Sequence, residues 1–278
     1  MEKKRKKKAT DGLLDFDIDD PNTYYLAKDG VFNTAAIKNL PFTQHILDSI
    51  FGKDKFTVVE HTPEFYNKER VASKGVAFDI LVKDKNGIYI DIEIQIVDNI
   101  NVLKRAREYQ AHIDSRQLRT GMKADSLKDV YIIFILAFDP FDLGLPLYEE
   151  GSIILGTELK VDHGFHFIYV NAANPDPSTP LGQLCLDLFC QKEKDIHSQT
   201  LLKALQYCRS EEGRNALSMR MADTEYEITE KLNNMYARSL ILLGNDTDEQ
   251  IASVLGLNTE RIEEIRKELE EEGKLPKK

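Results

Sequence analysis

The chain contains no tryptophan and only three cysteines, Cys185, Cys190 and Cys208, among 278 residues. Three thiols cannot build a disulfide framework, and their spacing follows no metal-ligand pattern. A cystine-stapled secreted fold and a zinc-binding module are therefore not expected, and a reducing cytoplasm is the expected location. Long apolar runs are missing as well. The longest, VYIIFILAF at 130–138, is far too short to cross a bilayer as a helix, so no membrane partner is expected. The start, MEKKRKKK, leads into no apolar stretch of signal-peptide length. Positive charge is in deficit, with a formal net charge of −10. That balance argues against non-specific coating of nucleic acid, although it leaves room for an enzyme that touches DNA locally. The glycines form no phosphate-binding loop, and Ser, Cys and His form no nucleophilic arrangement. HGFH at 163–166 holds two histidines that would point to opposite faces of a strand, which disfavours joint metal binding.

What the chain does have is a globular composition, 42% hydrophobic and 30% charged, and enough length for one large domain or two smaller ones. The charge is uneven: residues 1–8 carry six basic side chains against Glu2. Such a tail reads as a solvated arm or, alternatively, as one that contacts phosphates. Residues 9–30 read as loop. FTQHILDSIF (42–51) has a helical period; KFTVVEH (55–61) and GVAFDILV (75–82) read as strands. Residues 101–119 turn helical, with Gly121 just beyond the end. VYIIFILAF is a strand covered on both faces, and FHFIYVN (165–171) is another. After NPDPSTP (174–180) the sequence is helical almost to its end. The expected organisation is an N-terminal arm over 1–24, an α/β (α+β) domain over 25–175 in the order helix, three strands, helix, strand, and an all-helical C-terminal region over 176–278.

The central question lies in YIDIEIQIV, Tyr89 to Val97. Isoleucines at 90, 92, 94 and 96 alternate with Asp91, Glu93 and Gln95, so one face is apolar and the other carries two acids and an amide. The preceding turn, DKNG (84–87), allows two registers. A two-residue Asn-Gly loop would set Asp79 against Ile94. A type I turn through Asp84–Gly87 with a left-handed Gly87 in a bulge sets Asp79 against Glu93, and it also places Val76, Phe78, Ile80 and Val82 on the face of the isoleucines. The second register is favoured because it alone builds a continuous apolar layer. Two carboxylates opposed across an antiparallel pair repel, and a divalent cation would relieve them. An ordinary amphipathic hairpin with acids on its wet face stands as the alternative, although Asp79, flanked by Ala77 and Leu81, is an expensive place for an unpartnered charge. Asp91 reads as a bystander or supporting group.

Asp79, then Glu93-Ile94-Gln95 on the next strand, followed by KRAREYQ (104–110) and VYIIFILAFDPF (130–141), resembles the PD-(D/E)XK nuclease superfamily. More narrowly it resembles the Rpn branch of recombination-promoting nucleases and transposases. The resemblance spans roughly 25–175. It implies a restriction-endonuclease-like core and metal-dependent hydrolysis of DNA phosphodiesters, with Mg²⁺ (or Mn²⁺) as cofactor. Asp79 and Glu93 take the positions of the metal-binding acids. Gln95 takes the position of the superfamily's lysine, where it can orient a water. Arg105 would hold a backbone phosphate, and Tyr109 accompanies it as a DNA-binding residue. An Asp-x-x-Phe-Lys element common near the start of such proteins is here DGVFN, with Asn33 in place of lysine.

TDEQIASVLGLNTERIEEIRKEL (247–269) is similar to a helix-turn-helix, with Ile251, Ala252, Ile262 and Ile265 placed for its core. Its second helix offers Glu260, Glu263, Glu264 and Glu268 beside Arg261, Arg266 and Lys267. That charge suits packing on the chain or on a partner better than groove reading. A homodimer through the helical C-terminal region is one such partner. Two other functions compete with a nuclease: a DNA-binding protein with a decayed nuclease core, and a helical interaction module.

Overall fold

A computed structural model describes residues 17, 19–37, 39–61, 78–98, 101–118 and 121–275. The basic arm and positions 75–77 of the expected second strand lie outside these residues. In chain order the elements are α1 (Asp29–Ala36), α2 (Leu40–Phe51), β1 (Val58–His61), β2 (Ile80–Asp84), β3 (Tyr89–Gln95), α3 (Val102–Gln117), β4 (Val130–Leu136), β5 (Leu147–Glu150), β6 (Ser152–Ile153), β7 (Lys160–Val161) and β8 (Phe165–Asn171). Helices follow: α4 (Pro180–Leu188), α5 (Gln199–Arg209), α6 (Glu211–Leu243), α7 (Asp248–Leu255) and α8 (Thr259–Glu271). The expected helix, three strands, helix, strand core is there. Helix α1 and the strands β5, β6 and β7 are additions that periodicity did not reveal, because each is short.

Six strands form one mixed sheet in the order β1-β2-β3-β4-β8-β5, and β6 and β7 form a separate pair. β3, β4 and β8 run parallel, and the other pairings are antiparallel. Because β3 and β4 are parallel, the chain must cross over between them, and α3 makes that crossover. One face of the sheet presents Ile90, Ile92, Ile133, Ile135 and Ile168 to α1, α2, α4 and α5. The other presents Leu81, Ile132, Phe134 and Tyr169 to α3. Burying each of these large apolar side chains contributes roughly 1.5–3 kcal/mol. Helices thus cover both faces. β4 is accordingly buried along its whole length, as expected for a central parallel strand.

The register of β2 and β3 is the one that the turn chemistry favours. Ile80 pairs with Ile92, Leu81 with Asp91 and Val82 with Ile90. The Gly87 N–H donates to the Asp84 carbonyl at 3.0 Å, and the Asp84 N–H donates to the Ile88 carbonyl at 3.0 Å. Gly87 has φ +86°, a conformation that costs a side-chain-bearing residue energy. The buried Asp84 carboxylate closes the turn, since its Oδ1 accepts the N–H groups of Asn86 at 2.8 Å and Ile88 at 2.9 Å.

The first compact unit runs on to Leu217, beyond the boundary expected near 175. α4 and α5 bury Leu184, Leu188, Leu201 and Leu205 in the sheet's own core, so the change of composition at 175 marks a change of secondary structure within one unit. The second unit takes in Ser218–Lys278. Its core holds Ile241, Ile251, Ala252, Ile262, Ile265 and Leu269, including all four residues expected of the helix-turn-helix-like segment. Thr247 and Gln250 form a reciprocal capping box at the start of α7, and Gly256 ends that helix in a left-handed conformation. The arginines of α8 are tied to neighbouring acids: Arg261 to Glu264 at 2.8 Å and Glu268 at 3.5 Å, and Arg266 to Asp248. No helix among the described residues is long and apolar enough to cross a membrane.

The loop after β4 carries a pH-dependent contribution to stability. Asp139 accepts the Tyr148 hydroxyl at 2.7 Å and the N–H groups of Phe141 at 3.1 Å and Gly144 at 2.7 Å. Partial burial raises its pKa, but these donors outweigh burial and hold the carboxyl below its ordinary value. A depressed folded-state pKa gives stability that is present above the unfolded value of about 3.9 and is lost as pH falls through the folded value. Asp139→Asn should therefore lower the melting temperature at pH 7, and the gap from wild type should close in melts taken below about pH 4. A gap that persists unchanged in acid would refute this assignment.

Candidate active site

The face of β3 that carries the acids is covered by α3 and not open to water. Asp91 is 0% exposed and Glu93 3% exposed. Asp79 sits just before β2, where the backbone ladder with β3 ends. Side chains continue it. The Asp79 N–H donates to Glu93 Oε1 at 2.8 Å, and the Ile94 N–H donates to Asp79 Oδ2 at 2.9 Å. The two acids are thus opposed, and each carboxylate is oriented by the other strand's backbone.

Two further elements reach the pair, and β3 contributes a third side chain. Helix α1 brings Asn33, whose Nδ2 lies 3.5 Å from Asp79 Oδ1. The sequence reads as loop only over 9–30 and assigns no element to Asn33, and only the DGVFN match hinted that it belonged to the site; the side chain of Asp29 is outside those described. Helix α3 brings Arg105, whose Nη2 lies 3.6 Å from Glu93 Oε2. Arg105 also donates to the Tyr109 hydroxyl, and its guanidinium lies 5.1 Å from the centre of the Tyr109 ring. Strand β3 itself adds Asp91, which the pattern had left as a bystander or supporting group.

Tyr109 needs a correction. The resemblance put it on DNA, but it is 2% exposed, with its ring centre 5.2 Å from that of Phe78 and 6.1 Å from that of Phe134. A side chain enclosed in this way cannot lie on a duplex. What it touches instead is Arg105, whose guanidinium donates to its hydroxyl and lies over its ring. Gln95, at the end of β3, is half-buried, and its Nε2 donates to the Val97 carbonyl at 2.8 Å.

The electrostatics follow from crowding acids under a helix. Burial pushes the Asp91 carboxyl well above the usual range, and the Asp79 charge pushes it further. Burial does the same to Glu93, reinforced by Asp91 and opposed by the Asp79 N–H and by Arg105. Burial, then the Glu93 charge, also raises the Tyr109 phenol. Neither Asp91 oxygen has a hydrogen-bond donor, and the same is true of Asn33 Oδ1. The Glu93 carboxyl is close enough to Asp91 to act on it, and that side-chain contact opposes part of the rise.

A family model described as PD-(D/E)XK nuclease family transposase matches residues 29–174, more than half of the chain. The chain belongs to this family. Neither the curated proteins nor the solved structures provide a match. The nuclease-family span begins at the first residue of α1 and ends beyond β8, so it contains Asn33, Asp79, Asp91, Glu93, Gln95 and Arg105. Helices α4 and α5 lie outside it even though they complete the core of the same unit.

The donor set around the pair suits a hard cation. It consists of oxygen ligands without thiolate or imidazole, and three buried acceptor oxygens there lack donors. Among the described residues no three His, Cys, Asp or Glu side chains converge as a ready-made metal cage. Two direct carboxylate ligands with water filling the other positions is the arrangement that Mg²⁺ favours.

Proposed function

We propose that this protein is a metal-dependent DNA endonuclease of the transposase or recombination-promoting type, which hydrolyses phosphodiester bonds. The observation that carries the reading is the reciprocal Asp79–Glu93 pair, two opposed carboxylates held by each other's strands inside a nuclease-family span. Asp79 and Glu93 would hold Mg²⁺ or Mn²⁺. A bound ion of this kind polarises a scissile phosphate and lowers the pKa of a bound water. The residues of the chain do the rest. Gln95 turns its amide from the Val97 carbonyl to orient the attacking water. Arg105, half-exposed and next to Glu93, takes a phosphate oxygen of the backbone with its guanidinium fork. Tyr109 and the helix beneath fix its approach.

Incubation of the full-length protein with supercoiled plasmid, in Mg²⁺, Mn²⁺ or EDTA, tests this reading. Nicking in either metal and none in EDTA is expected; intact plasmid in all three would overturn it. Gln95→Ala should slow nicking by roughly 10–100-fold, the scale of a single positioning group, and by clearly more than it weakens Mn²⁺ binding. Equal losses in both would make Gln95 a metal-site residue instead.

The second reading, a DNA-binding protein with a decayed catalytic centre, is favoured by one contact, the Gln95 amide committed to Val97. It predicts retained DNA binding with no cleavage in any divalent metal.

A further inference from the structure

Other deeply buried acids of this protein are saturated with donors. Asp84 accepts the N–H groups of Asn86 and Ile88 and the Asn86 side-chain amide. Asp187 accepts the N–H groups of His197 at 3.0 Å and Ser198 at 2.7 Å, together with the Gln183 amide at 3.1 Å. Asp91 breaks this pattern: it is buried more completely than Glu93, yet both of its oxygens are without a donor. Among the described residues four buried side-chain polar atoms lack a partner, and three of them are oxygens next to the Asp79–Glu93 pair: Asp91 Oδ1, Asp91 Oδ2 and Asn33 Oδ1. The Asn33 amide nitrogen faces the Asp79 carboxylate at 3.5 Å, the orientation that keeps its oxygen away from that acceptor.

Unsatisfied buried acceptors are costly and rare. Three beside one pair call for donors that the described residues do not supply. Water bound to a cation is such a donor, since its lone pair is committed to the metal and its hydrogens point outward. Mg²⁺ typically keeps several waters when few protein ligands are present. Resting on the reading of Asp79 and Glu93 as the metal-binding pair, we propose that Asp91 and Asn33 are positioning residues that accept hydrogen bonds from metal-bound water, Asp91 from the sheet and Asn33 from α1. The site then takes a hydrated hard divalent cation, held directly by two carboxylates and through its waters by two more side chains. Loss of a hydrogen-bonding group behind a metal's direct ligands commonly costs 10–100-fold in metal affinity.

The test is Mn²⁺ binding to the full-length protein, followed by the electron paramagnetic resonance signal of free Mn²⁺, alongside melting temperature in EDTA. Asp91→Asn keeps the shape and removes a buried acid whose oxygens have no donor among the described residues. It should weaken Mn²⁺ binding at least tenfold and raise the melting temperature in EDTA. Asn33→Leu should also weaken binding, whereas Asn33→Asp, which keeps an acceptor oxygen, should bind within a few-fold of wild type or more tightly. A purely structural Asp91 would do the opposite: Asp91→Asn would bind Mn²⁺ like wild type and melt no higher, and that result would overturn the proposal while leaving the Asp79–Glu93 pair intact. If wild type binds no Mn²⁺, or Glu93→Gln binds it as well as wild type, the pair reading falls and this proposal falls with it.

Discussion

Asp79→Asn and Glu93→Gln should each lower metal-dependent plasmid nicking by roughly a thousandfold or more, with little change in melting temperature. The size follows from the several kcal/mol of transition-state charge stabilisation that a bound metal supplies, at 1.36 kcal/mol per tenfold in rate. The preservation of the fold follows from the geometry. In Glu93→Gln the amide oxygen can still accept the Asp79 N–H, and in Asp79→Asn it can still accept the Ile94 N–H, the two bonds that now extend the β2–β3 ladder. Each variant also takes one acid out of a buried cluster in which neighbouring acids raise each other's pKa under a helix. Structure is therefore held or slightly strengthened while the proposed metal site would lose a carboxylate ligand. Assays at several enzyme concentrations, beside melts of the same preparations, separate the two effects. Variants that nick as fast as wild type would move the chemistry elsewhere in the chain. Variants that lose activity only because they melt lower would leave the site unproven.

How far this site could be read before the fold was known depends on the range of the information. The opposition of Asp79 and Glu93 was legible because it is local: Asp84 and Gly87 specify the turn, the turn specifies the register, and alternation fixes the faces. The fate of Asp91 was not legible. Alternation puts it on the polar face, but whether that face meets water or a helix depends on where α3 lands after the crossover from β3 to β4, which is a tertiary event. The same gap accounts for Tyr109. Its spacing from Arg105 is visible in the sequence, but its enclosure between Phe78 and Phe134 is not. Helix α1 was overlooked for a different reason. It has only eight residues, DGVFNTAA, and is held by packing of Val31, Phe32 and Ala35 in the main core, where helix propensity counts for little. Asn33 reaches the site only because of that packing. The family match ends at 174, beside the boundary expected near 175, yet the helices that look like a separate domain in sequence complete the core of the first unit.

Phe134→Ala should be the most damaging single substitution that leaves every candidate site residue in place. Phe134 is 1% exposed and lies on β4 directly beside Glu93 of β3 in the parallel register. Its ring is stacked between Tyr109 at 6.1 Å and Tyr169 at 6.2 Å. Truncating a phenylalanine in such a core costs about 3–5 kcal/mol, which for a unit of this size lowers the melting temperature by roughly 6–20 °C. The stability loss is the smaller part of the expected result. With Phe134 gone, the Tyr109 ring has room to move, and Tyr109 is what holds Arg105 beside Glu93. Nicking measured well below the new melting temperature should therefore fall further than the folded fraction alone explains, with the larger change in the dependence on DNA concentration, where Arg105 would act. Phe134→Leu, which keeps most of the volume, should lose less of both. Full activity in a folded but destabilised Phe134→Ala protein would show that Arg105 needs no brace, and that the row of rings under α3 serves the core alone.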